Sequence, residues 1–133
     1  MGRYEVKMKS IRSLIFVPGN RVNMLEKALT FDADIIMVDL EDSVPTAQKL
    51  SAIPIAQEWA NKLTQAGKTV MIRLNALDTG LTKNEITHMA SNSISGFSVG
   101  KISSANDVKT IDIMLSEIEN KKNLPSRSLK FIA

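Results

Sequence analysis

The chain has 133 residues, of which 44% are hydrophobic and 23% charged, with a formal net charge of +3 and no cysteine. This length suits one domain, and without cysteine there can be no disulfide and no thiolate metal site. The scattered Lys and Arg residues argue against nucleic-acid binding, and the longest apolar runs are too short to span a bilayer. No secretion signal is found in the N-terminal MGRYEVKMKS, so a cytoplasmic location is expected.

The first half of the chain predicts two strands, each followed by a helix. Residues 12–20 form a short strand that stops at Pro18 and Gly19, and Asn20 then caps a helix to about Thr30. The inner stripe of that helix is predicted to be Met24, Leu25, Ala28 and Leu29. Residues 33–40 are apolar on both faces, which is typical of a parallel strand covered by helices.

A helical stretch follows the second strand to about Ala66, but Pro54 lies inside it. Because proline loses a hydrogen bond and clashes one turn back, we expect a kink or break there. The simplest arrangement has Ser51 as the cap and the main helix running from Ile53.

The second half repeats the alternation of strand and helix. Residues 68–75 form the third strand, and Thr82 with Glu85 predicts a capping box for the third helix. A weaker fourth strand covers 94–101, and Ser104 with Asp107 predicts a second capping signature. The last helix ends near 120–123, a fifth strand covers 128–133, and the predicted apolar stripe of that helix is Val108, Ile111, Leu115 and Ile118.

Five strands that alternate with four helices predict a parallel α/β sheet with right-handed crossovers. Two architectures fit this pattern. One is an open doubly wound sheet, and the other is the first half of a (β/α)8 barrel, whose full form needs about 250 residues. No linker, low-complexity segment or second domain is evident in the sequence.

Polar residues gather where the predicted strands end, and in both architectures ligands bind at the carboxyl ends of parallel strands. Arg73 in such a position suits an anionic ligand that its planar fork can hold with two hydrogen bonds, or else a structural ion pair with a nearby acid. We expect Arg73 and Asn75 to share one face of their strand. The residues at the four strand ends are Asn20 and Arg21; Asp39, Glu41 and Asp42; Arg73 and Asn75; and Lys101.

The acids and the remaining strand-end residues each have two interpretations. Glu41 and Asp42 could favour the dipole of the following helix or orient waters around Mg²⁺. Asn20 and Arg21 could hold a phosphate or carboxylate, or simply begin a helix. Lys101 could bind substrate or be a solvated loop lysine.

Four motifs in order resemble one family: RSLIFVPGN, VDLEDSVP, IRLNALDTG and the GK after the fourth strand. They are similar to the citrate lyase beta subunit and its aldolase-superfamily relatives, which include malyl-CoA and citramalyl-CoA lyases. The resemblance covers Arg12 to Ala133 and implies a TIM barrel. Residues 1–133 would then be the N-terminal part of a single barrel domain, with four βα units and a fifth strand in the order 1-2-3-4-5.

The resemblance also implies a chemistry. A Mg²⁺-dependent lyase would cleave a 3-hydroxyacyl thioester of the citryl type into a 2-oxo acid such as oxaloacetate and an acyl thioester. Arg73 would grip the substrate carboxylate, with Asn75, Asn20, Arg21 and Lys101 as further substrate-binding residues. Glu41 and Asp42 would lie close to the metal and its waters, in its outer shell at most. The direct metal ligands would lie beyond Ala133.

The expected partners are a small carboxylate substrate, carried on coenzyme A or an acyl-carrier protein, and further subunits of a homo-oligomer or lyase complex. The chain departs from the family pattern at Val99-Gly100-Lys101, where Leu-Pro-Lys is usual, and at Ile53, where arginine is common. The competing hypothesis is a catalytically incomplete half-barrel that binds a carboxylate or an acyl-carrier partner.

Overall fold

The computed structural model describes residues 13–133, and the predictions made for residues 1–12 lie outside this range. Parallel pairing joins the strands into one sheet in the order β1-β2-β3-β4-β5, which confirms the predicted strand order and excludes the doubly wound alternative. The strands are β1 (Leu14–Pro18), β2 (Ile35–Asp39), β3 (Val70–Leu74), β4 (Gly96–Val99) and β5 (Lys130–Ile132).

Four helices connect the strands, as the alternating pattern predicts. Each helix contacts the next one along the chain, so the helices form a layer in sequence order. Within residues 13–133, no helix is both long and apolar enough to cross a membrane. The helices are α1 (Val22–Lys27, extended by a 3₁₀ turn, Ala28–Thr30), α2 (Lys49–Gln65), α3 (Thr82–Met89) and α4 (Ala105–Lys121).

The two faces of the sheet bury two separate clusters. Alternate strand residues, such as Ile36 and Val38 in β2, pack with buried residues of all four helices. The residues between them, Ile35, Met37 and Met71, form a second cluster that contains no helix residue. A parallel sheet with all its helices on one face and a separate apolar layer on the other is the wall of a barrel.

Helix α2 runs from Lys49 through Pro54, so the predicted break and the predicted start at Ile53 are wrong, and the alternative of a kink at Pro54 stays a prediction. Pro54 lies on the exposed side of the helix, where water can hydrogen-bond to the carbonyl group that the proline leaves without a donor. Residues on the opposite side, including Ala52, Ala56 and Trp59, are buried against the sheet and hold the helix in place.

Helix α1 buries less of its apolar stripe than predicted. Leu25 and Ala28 are fully buried, but Met24 and Leu29 are each 37% exposed. The stripe of α4 is confirmed, because Ile111, Leu115 and Ile118 are buried and Val108 packs against them in part.

Candidate functional site at the carboxyl end of the sheet

The turn that follows β2 is built around a buried carboxylate. Asp39 is 1% exposed. Its Oδ1 accepts a hydrogen bond from the backbone N–H of Glu41 at 2.8 Å, and its Oδ2 accepts from the N–H and the hydroxyl of Ser43 at 3.0 and 2.6 Å. We call residues 39–43 the acid turn. Asp39 therefore shapes the acid turn, and its oxygens are already occupied by protein donors.

Arg73 lies beside Asp39 because the two residues are register partners in β3 and β2. Its Nε and Nη2 each donate to one oxygen of Asp39 at 2.8 Å, so the carboxylate pairs with the Nε–Nη2 edge of the guanidinium through two hydrogen bonds. Its Nε also lies 3.6 Å from Oε1 of Glu41. The ring of Phe16 stacks 4.4 Å from the Arg73 Cζ and so fixes the plane of the guanidinium.

This pairing leaves the second edge of the guanidinium available. A guanidinium has five N–H donors, and Asp39 takes one from Nε and one from Nη2. The end formed by Nη1 and the other Nη2 hydrogen makes no hydrogen bond to the part of the chain that the structure describes. Since the Arg73 side chain is 23% exposed, that edge can hold the carboxylate of a ligand with two parallel bonds.

The ion pair favours the charged form of both Asp39 and Arg73. Burial acts to raise the pKa of Asp39, but the hydrogen bonds from Arg73, from Ser43 and from two backbone N–H groups outweigh it and lower the pKa to about 2. The hydrogen bond to Asp39 raises the pKa of Arg73, and the charges of Asp39, Glu41 and Asp42 add to this effect. Both groups are therefore ionised at neutral pH.

Glu41 is the half-buried acid of this turn that remains available to a ligand. Its side chain is 17% exposed and points toward β4, since a Cβ built on Gly100 would lie 3.7 Å from Oε2 of Glu41. Asp42 is exposed. Carboxylate oxygens are what Mg²⁺ and the waters around it favour, so the chemistry of Glu41 and Asp42 is compatible with the predicted outer-shell role, which stays a prediction. Among residues 13–133 no group of three or more His, Cys, Asp or Glu side chains could hold a metal ion.

Asn75 is placed differently from the prediction. It follows β3, is 2% exposed, and its Nδ2 donates to the Leu40 carbonyl at 2.9 Å and to Glu85 in α3. Its backbone N–H donates to Glu85 at 2.8 Å, and Thr82 donates its hydroxyl hydrogen to the Asn75 carbonyl at 2.8 Å. Asn75 therefore joins the end of β3 to α3, and its side chain does not share a face of the sheet with that of Arg73.

The predicted capping box of Thr82 and Glu85 is wrong, because both side chains bond to the backbone of Asn75. The residue before α3 is Leu81, which makes no side-chain cap, and the two polar side chains bind the strand end. Burial raises the pKa of Glu85, against the opposing effect of the two bonds from Asn75. At α4, by contrast, Ser104 caps the helix as predicted, accepting from the Asp107 N–H at 3.2 Å.

The three remaining predicted ligand-binding residues lie around the site. Asn20 donates to Gln48 in the next loop, and its Oδ1 is buried with no partner in the described part of the chain. Arg21 is exposed and precedes α1 without a side-chain cap. Lys101 is exposed, adopts a left-handed backbone with φ 57°, and lines a cavity of about 270 Å³ with Asp78 and other residues of the two neighbouring loops. The helix cap predicted for Asn20 is wrong, because Arg21 is the residue before α1 and no side-chain cap forms there. The ligand-binding roles predicted for all three residues remain predictions.

Two features of the site were missed from the sequence. Lys49, in the first turn of α2, donates to the backbone carbonyls of Leu40 and Glu41 at 3.1 and 2.7 Å. Gly19 lies so close to β2 that a Cβ would be 2.9 Å from the Asp39 carbonyl oxygen. The strand-stopping Pro18-Gly19 pair carried a signal for the second feature, but nothing in the sequence marks Lys49.

Comparison with known proteins agrees with this arrangement. The family model described as HpcH/HpaI aldolase/citrate lyase matches residues 12–132. The chain belongs to this family. The match covers all five strands and four helices, and it includes both Asp39 and Arg73.

Curated relatives of this family member are longer than the chain. The citrate lyase subunit beta of Leuconostoc mesenteroides subsp. cremoris is 32% identical over 114 residues, which is 86% of this chain and 38% of that protein. An L-malyl-CoA/beta-methylmalyl-CoA lyase of Cereibacter sphaeroides is 32% identical over 114 residues, 84% of this chain and 36% of that protein. The chain thus spans about two fifths of the length of these relatives.

Solved structures identify the fold as that of a TIM barrel. Malate synthase of Haloferax volcanii superimposes with a TM-score of 0.82 at 16% identity, over 96% of this chain and 42% of that one. A citrate lyase beta subunit of M. tuberculosis, complexed with oxaloacetate and magnesium, gives 0.57 at 23% identity, over 83% of this chain and 43% of that one. At these identities the likeness establishes the fold alone, and the predicted barrel architecture is confirmed.

Proposed function

We propose that this chain carries the carboxylate-binding part of a carbon–carbon lyase that acts on 3-hydroxyacyl thioesters of the citryl or malyl type. The observation that carries the proposal is the oriented guanidinium of Arg73. Asp39 holds one edge of it, Phe16 holds its plane, and the other edge is available at the end of the sheet where barrels of this type bind ligands.

In the proposed reaction, Arg73 binds the carboxylate next to the carbon that carries the hydroxyl group. The hydroxyl oxygen loses its proton to a base and becomes the 2-oxo group, while the bond between carbons two and three breaks. Its electron pair moves into the thioester as an enolate, which takes up a proton to give the acyl thioester. A preorganised cation beside the reacting carbon orients the substrate and stabilises negative charge without reorganising as the bond breaks.

We further propose that the complete site uses Mg²⁺, with Glu41 and Asp42 at its waters and direct ligands supplied by residues outside this chain. When bound, Mg²⁺ would polarise the oxygens of the 2-oxo acid. The support within this chain is the donor chemistry, because Glu41 carries the one half-buried carboxylate of the acid turn whose oxygens no hydrogen bond described here occupies.

The proposal includes partners. A small carboxylate substrate would arrive on coenzyme A or an acyl-carrier protein, with Lys101 and the loop cavity beside it available to the carrier arm. Association with further subunits, or with a segment that completes the barrel, is supported by exposed apolar residues on β1 and α1. Phe16 and Val22 are 48% and 47% exposed, and Met24 and Leu29 are each 37% exposed. A cytoplasmic location, argued from the sequence without cysteine, belongs to the same proposal.

A second candidate function is a non-catalytic half-barrel that binds a carboxylate or an acyl-carrier partner. The observation in its favour is that the chain spans about two fifths of the length of these relatives, and that residues 13–133 contain five strands of a fold that has eight.

One assay separates the two functions. The purified chain, and a protein in which these residues form part of a complete barrel, are incubated with citryl and malyl thioesters at millimolar Mg²⁺. The lyase proposal expects turnover above about 1 s⁻¹ for the complete barrel and none for the chain alone. No turnover from the complete barrel, with carboxylate binding retained, would support the binding function instead.

A further inference from the structure

Two side chains of opposite charge, Asp39 and Lys49, make hydrogen bonds to the backbone of the acid turn. Asp39 accepts hydrogen bonds from the backbone N–H groups of Glu41 and Ser43. On the carbonyl side, the Lys49 ammonium donates to the backbone oxygens of Leu40 and Glu41. Both kinds of backbone group in this short loop are thus bonded to a charged side chain, and such bonds are about twice as strong as neutral ones.

Glu41 is the residue that both charged groups hold. Its N–H donates to Asp39 at 2.8 Å, and its C=O accepts from Lys49 at 2.7 Å and from the Val44 N–H at 3.2 Å, so the backbone on each side of its Cα is fixed. With the backbone fixed, the carboxylate is directed to the space between Arg73, 3.6 Å away, and Gly100 of the β4 loop. No part of the Glu41 side chain is needed to hold the turn together.

We infer that Lys49 is a positioning residue that holds the Glu41 carboxylate at the site without itself touching the substrate. Its Nζ hydrogen bonds are to two protein carbonyls, and the Leu40 carbonyl that it shares with Asn75 connects it to the buried Asn75–Glu85 pair. The catalytic consequence rests on the proposed function, whereas the structural role does not depend on it.

The chain contains a matched control for this residue. Lys68 is also half-buried and its Nζ donates to the carbonyl of Phe31 at 2.6 Å. Phe31 precedes β2, whereas the acid turn follows it, so Lys68 acts at the opposite end of the sheet. Lys49→Met and Lys68→Met therefore both remove hydrogen bonds from a lysine to backbone carbonyls, two of them after the end of β2 and one before its start.

The first test is amide hydrogen exchange of Glu41 and Ser43, measured by NMR on the 133-residue chain. In Lys49→Met we expect both amides to exchange at least about tenfold faster than in the wild type, since each charged hydrogen bond is worth more than a factor of ten. In Lys68→Met the same amides should change less than about twofold. Equal acceleration in both variants, or none in Lys49→Met, would overturn the inference.

A conservative variant covers the case in which Lys49→Met does not fold. Lys49→Arg keeps the charge and several donors, and it should keep the protection of both amides within about threefold. If Lys49→Arg folds and loses protection at Glu41 and Ser43 by tenfold, the ammonium is not the group that holds the turn, and the inference fails.

The second test measures catalysis by the complete barrel. Since Arg73 still binds the substrate carboxylate, Lys49→Met should lower kcat at least about tenfold while KM for the thioester stays within about threefold. Lys68→Met should change neither constant. An unchanged kcat in Lys49→Met would refute the positioning role. Absence of turnover in the wild type would refute the proposed function alone, because the exchange experiment decides the role of Lys49 independently.

Discussion

Replacing Arg73 by lysine keeps the positive charge at the mouth of the barrel but removes the planar fork. In the wild type, two N–H···O bonds of 2.8 Å join Arg73 to a carboxylate that is 1% exposed. A lysine can replace one of them, so one charged hydrogen bond is lost, which is worth about 1.5–3 kcal/mol. The free energy of unfolding should fall by about that amount, measured by urea titration at pH 7.

The same substitution should also weaken ligand binding, for a separate reason. The edge of Arg73 that is available to a ligand offers two parallel donors, and a lysine that points at Asp39 offers none in that geometry. We therefore expect the affinity for oxaloacetate, measured by calorimetry on the complete barrel with Mg²⁺, to fall at least about tenfold.

Arg127→Lys is the matched control, because it makes the same chemical change at an exposed loop position and should alter neither stability nor affinity. Unchanged oxaloacetate affinity in Arg73→Lys would refute the assignment of Arg73 as the carboxylate-binding residue. A loss of stability without a loss of affinity would show that its role is the ion pair with Asp39 alone.

Three other substitutions test the local structure. Asp39→Asn should lower the free energy of unfolding by about 2 kcal/mol at pH 7, because the pKa of the wild-type Asp39 falls from 3.8 to about 2 on folding. This contribution is present above pH 4 and lost as pH falls through 2, so urea titrations should show a smaller difference in unfolding free energy between wild type and variant at pH 2.5 than at pH 7. Pro54→Ala should raise the free energy of unfolding by about 1–2 kcal/mol, because alanine restores the missing N–H donor in α2, which outweighs the added conformational entropy of the unfolded chain. An unchanged or lower melting temperature would contradict this. Gly96→Ala should unfold the β4–β5 edge, since its Cβ would lie 2.1 Å from the Lys130 carbonyl oxygen. Gly100→Ala should be tolerated, because its Cβ would lie 3.7 Å from the nearest atom, Oε2 of Glu41. Thermal melts followed by circular dichroism would compare the two variants.

The fold could be predicted because the strands are short and apolar, and each of the first four is followed by a helix with a recognisable apolar face. Residues 33–40, for example, are apolar on both faces, and the strand between Ile35 and Asp39 is buried throughout. The break at Pro54 and the helix start at Ile53 were predicted wrongly because local proline chemistry was weighed without tertiary packing. In the structure, α2 is held by its buried side and loses only one exposed backbone bond.

The site could be predicted in part. The pairing of Arg73 with an acid was one of two interpretations, and the register between β2 and β3 selects Asp39 as the partner. The roles of Thr82 and Glu85 could not be predicted, since their spacing is the same whether they cap a helix or bind a strand end. Lys49 gave no signal, because a lysine near a helix start is usually solvated, and its bonds are to backbone groups brought close only by the fold.

The charges around Arg73 give a physical reason for a metal that does not rest on the resemblance. Asp39, Glu41 and Asp42 all act on Arg73 and raise its pKa, so three carboxylates act on this one guanidinium. Lys49 offsets part of the excess, but its ammonium is already bonded to the backbone of the turn. A substrate carboxylate would add further negative charge to this half-buried site, where like charges repel more strongly than in water. In the proposed function, a divalent cation beside Glu41 would remove that repulsion, so we predict that carboxylate affinity at this site depends on Mg²⁺ even with Arg73 as the direct contact.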